Sequence, residues 1–143
     1  RTSSEVLGAV PRPASTIAGT RILLACADEE QHSLPLEALA AALAQAGVAC
    51  RMLGARVPPA ALVESVRRTG PAVVVLWSHA AETADVNQLR GLVTARGRPL
   101  LVLAGGPGWD PESLPSEVVT PASLGDAMSL AMAAADVSDQ PNT

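Results

Sequence analysis

Hydrophobic positions along this chain follow two alternating patterns. Apolar runs expected to form strands stand at residues 21–27 (apolar from Ile22), 48–53 (interrupted by Arg51), 72–77, 99–103 and 118–119. Between them, apolar residues recur at spacings of three and four: Leu36, Leu39, Ala40 and Leu43; Ala61, Leu62, Val63 and Val66; Val86, Leu89, Leu92 and Val93; Leu124, Ala127, Met128, Ala131 and Ala135. The spacing predicts amphipathic helices. The continuous runs, such as Ala72 to Trp77, suit strands covered on both faces. Strict alternation of the two predicts an α/β fold: a three-layer sandwich around a five-stranded parallel sheet, with right-handed crossovers. The strand order expected for it is the flavodoxin-like, Rossmann-like 2-1-3-4-5.

Local signals set the expected boundaries. Ser33 is a candidate N-cap, and Pro35 fits a first turn, where its missing N–H is harmless. Pro58-Pro59 precedes the second helix. Gly47, Gly70 and Gly97 are candidate helix ends. Residues 83–95 read as the third helix, and residues 111–114 as a short one. Ser123-x-x-Asp126 resembles a capping box with Asp in the place of Glu or Gln. Residues 1–20, rich in Ser, Pro and Ala, read as a linker, with a short helical turn over Ser4–Leu7. Residues 21–136 form one domain, and 137–143 a polar, disordered tail. The start at Arg1 within that linker reads as a domain taken from a longer protein.

Composition narrows the class. Of 143 residues, 48 % are apolar and 17 % charged, which favours a folded domain over a disordered chain. With two Trp and neither Phe nor Tyr, the core must be built from Ala, Val, Leu and Met. The net charge of -4, with no basic stripe or aromatic platform, argues against direct nucleic-acid binding. No apolar run approaches a membrane span and no signal peptide is visible, so a cytoplasmic location is expected. Cys26 and Cys50 both fall in expected strands and read as buried free thiols.

Chemistry is expected at the carboxyl ends of the strands, at the switch point between the first and third. Two loops meet there, one carrying His32 and the other Ser78-His79. The His32 imidazole can meet a ligand, and Asp28 or Glu30 could fix its tautomer and raise its basicity toward a metal. The plain alternative is a solvated loop histidine. Ser78 and His79 could contact a ligand lying over the sheet edge, or simply end a strand. Gly105-Gly106 would let the backbone pass close to a bulky ligand, or make a tight turn. Trp77 and Trp109 either wall a pocket or fill core.

Several functions are disfavoured. A zinc site from His32, His79 and Glu30 or Asp85 lacks the usual paired spacing. There is no G-x-G-x-x-G after the first strand. The chain has no lysine, so neither a phosphate-binding lysine nor a response-regulator pocket is available. Ser33 adjoins His32 without any oxyanion arrangement, and no nucleophile is paired with a base. An enzyme is not expected.

Taken together, these positions resemble the cobalamin (vitamin B12)-binding domain family over residues 20–136. Glu30-Gln31-His32-Ser33-Leu34-Pro35 corresponds to that family's Asp-x-His-x-x-Gly, Ser78-His79-Ala80 to its Ser-x-Leu, and Gly105-Gly106 to its glycine pair. The resemblance implies that His32 ligates cobalt from below and that Glu30 hydrogen-bonds this histidine. It implies that the dimethylbenzimidazole tail is displaced into a slot, contacted by Ser78, with Gly105 and Gly106 leaving room; Ser33 and His79 belong to the same candidate site. Glu30, Pro35 and Ala80 depart from the pattern. The phrases LLACADEEQHSLPLEAL and GARVPPAAL, with the proline-rich lead-in, are similar to the C-terminal sensory domains of actinobacterial MerR-like transcriptional regulators. The resemblance implies that DNA is bound through a separate N-terminal domain and that the chain self-associates as a homo-oligomer. The resemblance implies cobalamin as cofactor, with the adenosyl and methyl forms both open. The alternatives are a ligand-free dimerisation module, a binder of another tetrapyrrole, and a mutase or methyltransferase subunit.

Overall fold

The structure is a computed structural model and describes residues 21–28, 33–54, 56–95 and 98–139. Five parallel strands, β1 (Ile22–Cys26), β2 (Cys50–Gly54), β3 (Val73–Trp77), β4 (Leu101–Gly105) and β5 (Val118–Val119), lie in the order β2-β1-β3-β4-β5. Four helices connect or follow them: α1 (Leu34–Gln45), α2 (Pro59–Thr69), α3 (Val86–Thr94) and α4 (Leu124–Asp139). This is the α/β sandwich that the alternation predicts, in the expected strand order.

Both faces of the sheet are covered. On one face, Leu23, Val74, Leu76 and Val102 pack with Leu62 and Val66 of α2 and Leu89 and Leu92 of α3. On the other, Ile22, Leu24, Val73, Val75 and Leu103 pack with Leu36, Leu39 and Leu43 of α1 and Ala127, Ala131 and Ala135 of α4. Alternate strand residues feed opposite layers, as the pleat requires. All of β1 is buried, which fits the continuous Ile22–Cys26 run. The alanine stripe of α4 lets that helix sit close to the sheet.

Some boundaries shift for local reasons. The third helix begins at Val86 rather than at Thr83. Asp85 accepts the Asn87 N–H at 3.0 Å and starts the helix there, while Ala81–Thr83 forms a separate 3-10 turn. Strand β4 begins at Leu101, not Pro99: pairing with Val73 starts at Leu101, whose N–H donates to the Ala72 carbonyl. Helix α4 continues to Asp139, past the boundary expected at 136. At its start Ser123 Oγ accepts the Asp126 N–H at 3.0 Å, and the Asp126 carboxylate reaches back to the Ala122 N–H at 2.8 Å rather than to Ser123. Ser33 occupies the N-cap position of α1 without capping it; its hydroxyl donates to Glu37 at 2.8 Å instead. On α2, Ala61 is exposed and Ser65 is buried in its stead.

Neither cysteine forms a disulfide, and only Cys26 is fully buried. Cys50 is half-buried at the start of the edge strand β2, and desolvation raises its pKa above the ordinary thiol value. Among the described residues no helix is long and apolar enough to cross a membrane.

Leu103 is fully buried in the central part of β4 between α1 and α4. Leu103→Ala should therefore cost about 2–5 kcal/mol of unfolding free energy, read as a lowered urea midpoint with an unchanged slope.

Candidate functional site

The site is shaped by where the strands end. β3 and β4 pair in register to their last residues, Trp77 opposite Gly105. β5 pairs only with Val102 and Leu103. Beyond Leu103 the outer edge of β4 has no neighbouring strand, and Pro121, Ala122 and Ser123 lead from β5 into α4 across that gap. A cavity of about 360 Å3 opens there. Its floor is Val75, Trp77, Gly105 and Gly106; its sides are Leu36 and Leu39 of α1 and Leu124 and Ala127 of α4, with Pro107 and Pro121 at the turns. The lining is predominantly apolar, and the volume lies within the roughly 300–1,000 Å3 typical of small-molecule sites.

The glycine pair is required by its surroundings. A Cβ on Gly105 would stand 3.1 Å from Cε3 of the Trp77 indole. Gly106 has φ +97°, and a Cβ there would collide with the Ser78 carbonyl while standing 3.0 Å from Trp77 Cε2. The two strand ends are tied by backbone bonds: Ser78 N–H donates to the Gly105 carbonyl, and Gly108 N–H to the Ser78 carbonyl, each at 3.0 Å. The glycines thus admit Trp77 to the cavity floor and allow β4 to turn beneath it.

The sequence-derived candidates separate into groups. Gly105 and Gly106 line the cavity. Ser78 adjoins it but is fully buried, with its hydroxyl 3.0 Å from the Ala80 carbonyl and 2.7 Å from the Thr83 hydroxyl. Thr83 Oγ1 also lies 3.1 Å from the Ala80 carbonyl. Whichever hydroxyl donates to the other, the single Ser78 proton is held within this loop. His79 is exposed, and neither it nor Ser33 is part of the cavity lining. Glu30 and His32 lie outside the described residues. The loop leading to them is anchored at its start: Ala27 N–H donates to the Trp77 carbonyl at 2.8 Å, and Asp28 N–H to Gln88 Oε1 at 2.8 Å. Gln88 is buried on α3, a role that its polar character within an apolar stripe could have signalled. Among the described residues, no group of three or more His, Cys, Asp or Glu side chains is placed to hold a metal.

The two tryptophans have different surroundings. Trp109 is core, its Nε1–H donating to the Leu76 carbonyl at 3.3 Å. Trp77 walls the cavity, and its Nε1 is buried without a hydrogen-bond partner. Leaving such a donor unpaired costs about 1–3 kcal/mol.

A slot of this size and polarity, beside a glycine turn at the carboxyl edge of a parallel sheet, defines an α/β domain shaped to take a small-molecule ligand. The B12 binding domain family matches residues 20–126, and the chain belongs to that family. Its cofactor is cobalamin. Among solved structures, the chain is similar to a cobalamin-binding protein from Desulfitobacterium hafniense DCB-2, with TM-score 0.62 and 18 % identity over 80 % of this chain and 58 % of that one. It is also similar to the methanol:cobalamin methyltransferase complex MtaBC from Methanosarcina barkeri, with TM-score 0.74 and 18 % identity over 90 % of this chain and 49 % of that one. The chain spans about half the length of each, and at this identity the likeness is one of fold. No curated protein sequence matches the chain.

Two glycines separate conformational freedom from close approach. Gly47 has φ +78° with open space around its missing Cβ. Gly47→Ala should cost about 1–3 kcal/mol for its backbone conformation. Gly106→Ala should cost more, because the Ser78 carbonyl must also move. Thermal denaturation of the two variants reads the difference; equal losses would mean that the Gly106 contact is not tight.

Proposed function

We propose that this chain is the cobalamin-binding sensory domain of a transcriptional regulator, holding the cofactor base-off with His32 as the lower cobalt ligand. The observation that carries the reading is the apolar slot of about 360 Å3 beside Gly105-Gly106 in a chain of the B12-binding family. The residues fit the group: Val75, Leu36, Leu39, Leu124 and the glycines offer a flat, apolar recess for a displaced heteroaromatic base. A neutral imidazole at position 32 suits cobalt, and Glu30 provides the carboxylate that would fix its tautomer. When bound, the cofactor supplies a cobalt–ligand bond that can be exchanged or broken by light. This chain's own residues hold the tail, fix the imidazole and exclude water from the slot.

The regulator role rests on the similarity of LLACADEEQHSLPLEAL and GARVPPAAL to actinobacterial MerR-like regulators. In this reading the protein is cytoplasmic and not an enzyme, its DNA contacts lie in a separate N-terminal domain, and cofactor state alters self-association. Such a change requires that the cofactor bind one association state more tightly than another.

Titration with hydroxocobalamin should change the visible spectrum of the cofactor and leave pigment on the protein after gel filtration. His32→Ala should abolish the spectral change. No spectral change and no retained pigment with the unaltered chain would instead favour a ligand-free interaction module.

A further inference from the structure

The indole nitrogen of Trp77 is the one buried side-chain polar atom among the described residues that has no hydrogen-bond partner. Its ring lines the slot, and Cε2, the ring atom bonded to that nitrogen, lies against Gly106. The pyrrole edge of the indole is therefore beside the glycine turn. Nearby hydroxyl oxygens already have other partners: those of Ser78 and Thr83 bond each other and the Ala80 carbonyl, and Ser123 Oγ accepts the Asp126 N–H at the α4 cap. The other tryptophan, Trp109, has its N–H paired with the Leu76 carbonyl. An unpaired buried donor beside an apolar slot is paired most economically by an acceptor on the slot's occupant.

We propose that Trp77 Nε1–H is the donor that recognises the cofactor's tail base, bonding the benzimidazole nitrogen left without a metal when the base is displaced. The inference rests on the cobalamin reading above and adds a specificity-determining residue to it. Gly105 and Gly106 then have a double use: they seat the indole and keep its N–H edge free of Cβ atoms. Nε1 itself is buried in this structure, so the pairing requires the indole to turn toward the slot as the acceptor binds. Pairing replaces an unmet donor, so the gain is specific to ligands that carry the base. A corrinoid without a base leaves the donor as it was.

Two corrinoids separate the outcomes. Hydroxocobalamin carries the nucleotide tail, and diaquocobinamide lacks it. Each is titrated into the unaltered chain, into Trp77→Phe, and into protein with 3-benzothienylalanine at position 77. That last residue replaces the N–H by sulfur at nearly the same size, so packing is preserved even if Trp77→Phe folds poorly. Both replacements should weaken hydroxocobalamin binding about tenfold and change cobinamide binding less than twofold. An unchanged ratio of the two affinities in the benzothienyl protein would overturn the proposal. Equal affinity of the unaltered chain for both corrinoids would overturn it too, while leaving cobalamin binding intact. Binding of neither corrinoid would instead remove the cobalamin reading on which it rests.

Discussion

The contact between Trp77 and the glycine pair sets the form of the ligand-binding edge. Trp77 stands opposite Gly105 across the β3–β4 ladder, with its ring against the space that a side chain at 105 or 106 would fill. An aromatic over a cross-strand glycine packs a position that would otherwise be thin. Here it also walls the slot, on strand ends that are tied by backbone bonds through Ser78, Gly105 and Gly108. Remove the glycines and the indole must leave; remove the indole and the floor of the slot is lost.

The rest of the fold holds that wall in place. The two apolar layers bury β1, β3 and β4 from both sides, so the sheet edge presents a fixed surface. The brief β5 leaves the end of β4 uncovered, and the small Ala127 on α4 keeps the opening wide. Gln88 reaches from the opposite layer to pin the loop after β1 at Asp28. Core packing thus ends at the carboxyl edge of the sheet, where an apolar recess begins.

Much of this was legible in the sequence. Continuous Val and Leu runs alternating with three-and-four spacing indicate the layers and a parallel sheet, because a strand buried on both faces and a helix with one apolar stripe have few other arrangements; the order 2-1-3-4-5 is one of two common doubly wound orders and follows from likeness to the flavodoxin pattern, not from the alternation. The glycine pair was legible as a place of close approach. Strand and helix ends were less so: Asp85 starts its helix through one side-chain hydrogen bond, and β4 waits until Leu101 because its partner Val73 does. The use of Ser78 was hidden, since its hydroxyl meets Thr83 through a 3-10 turn that apolar periodicity does not mark. The part played by α4 in lining the slot was also hidden, for it follows from β5 pairing with Val102 and Leu103 alone. Trp77 could be read either as core or as pocket wall, and only the position of Gly105 opposite it decides.

The central claim is that the tail base leaves the cobalt for this slot while a protein nitrogen takes its place on the metal. Electron paramagnetic resonance of cob(II)alamin bound to uniformly 15N-labelled protein tests it directly, because the cobalt signal is split by the nucleus of its axial nitrogen. The account predicts the doublet of a 15N ligand from the protein. A triplet from the unlabelled 14N of the cofactor's own base would contradict it.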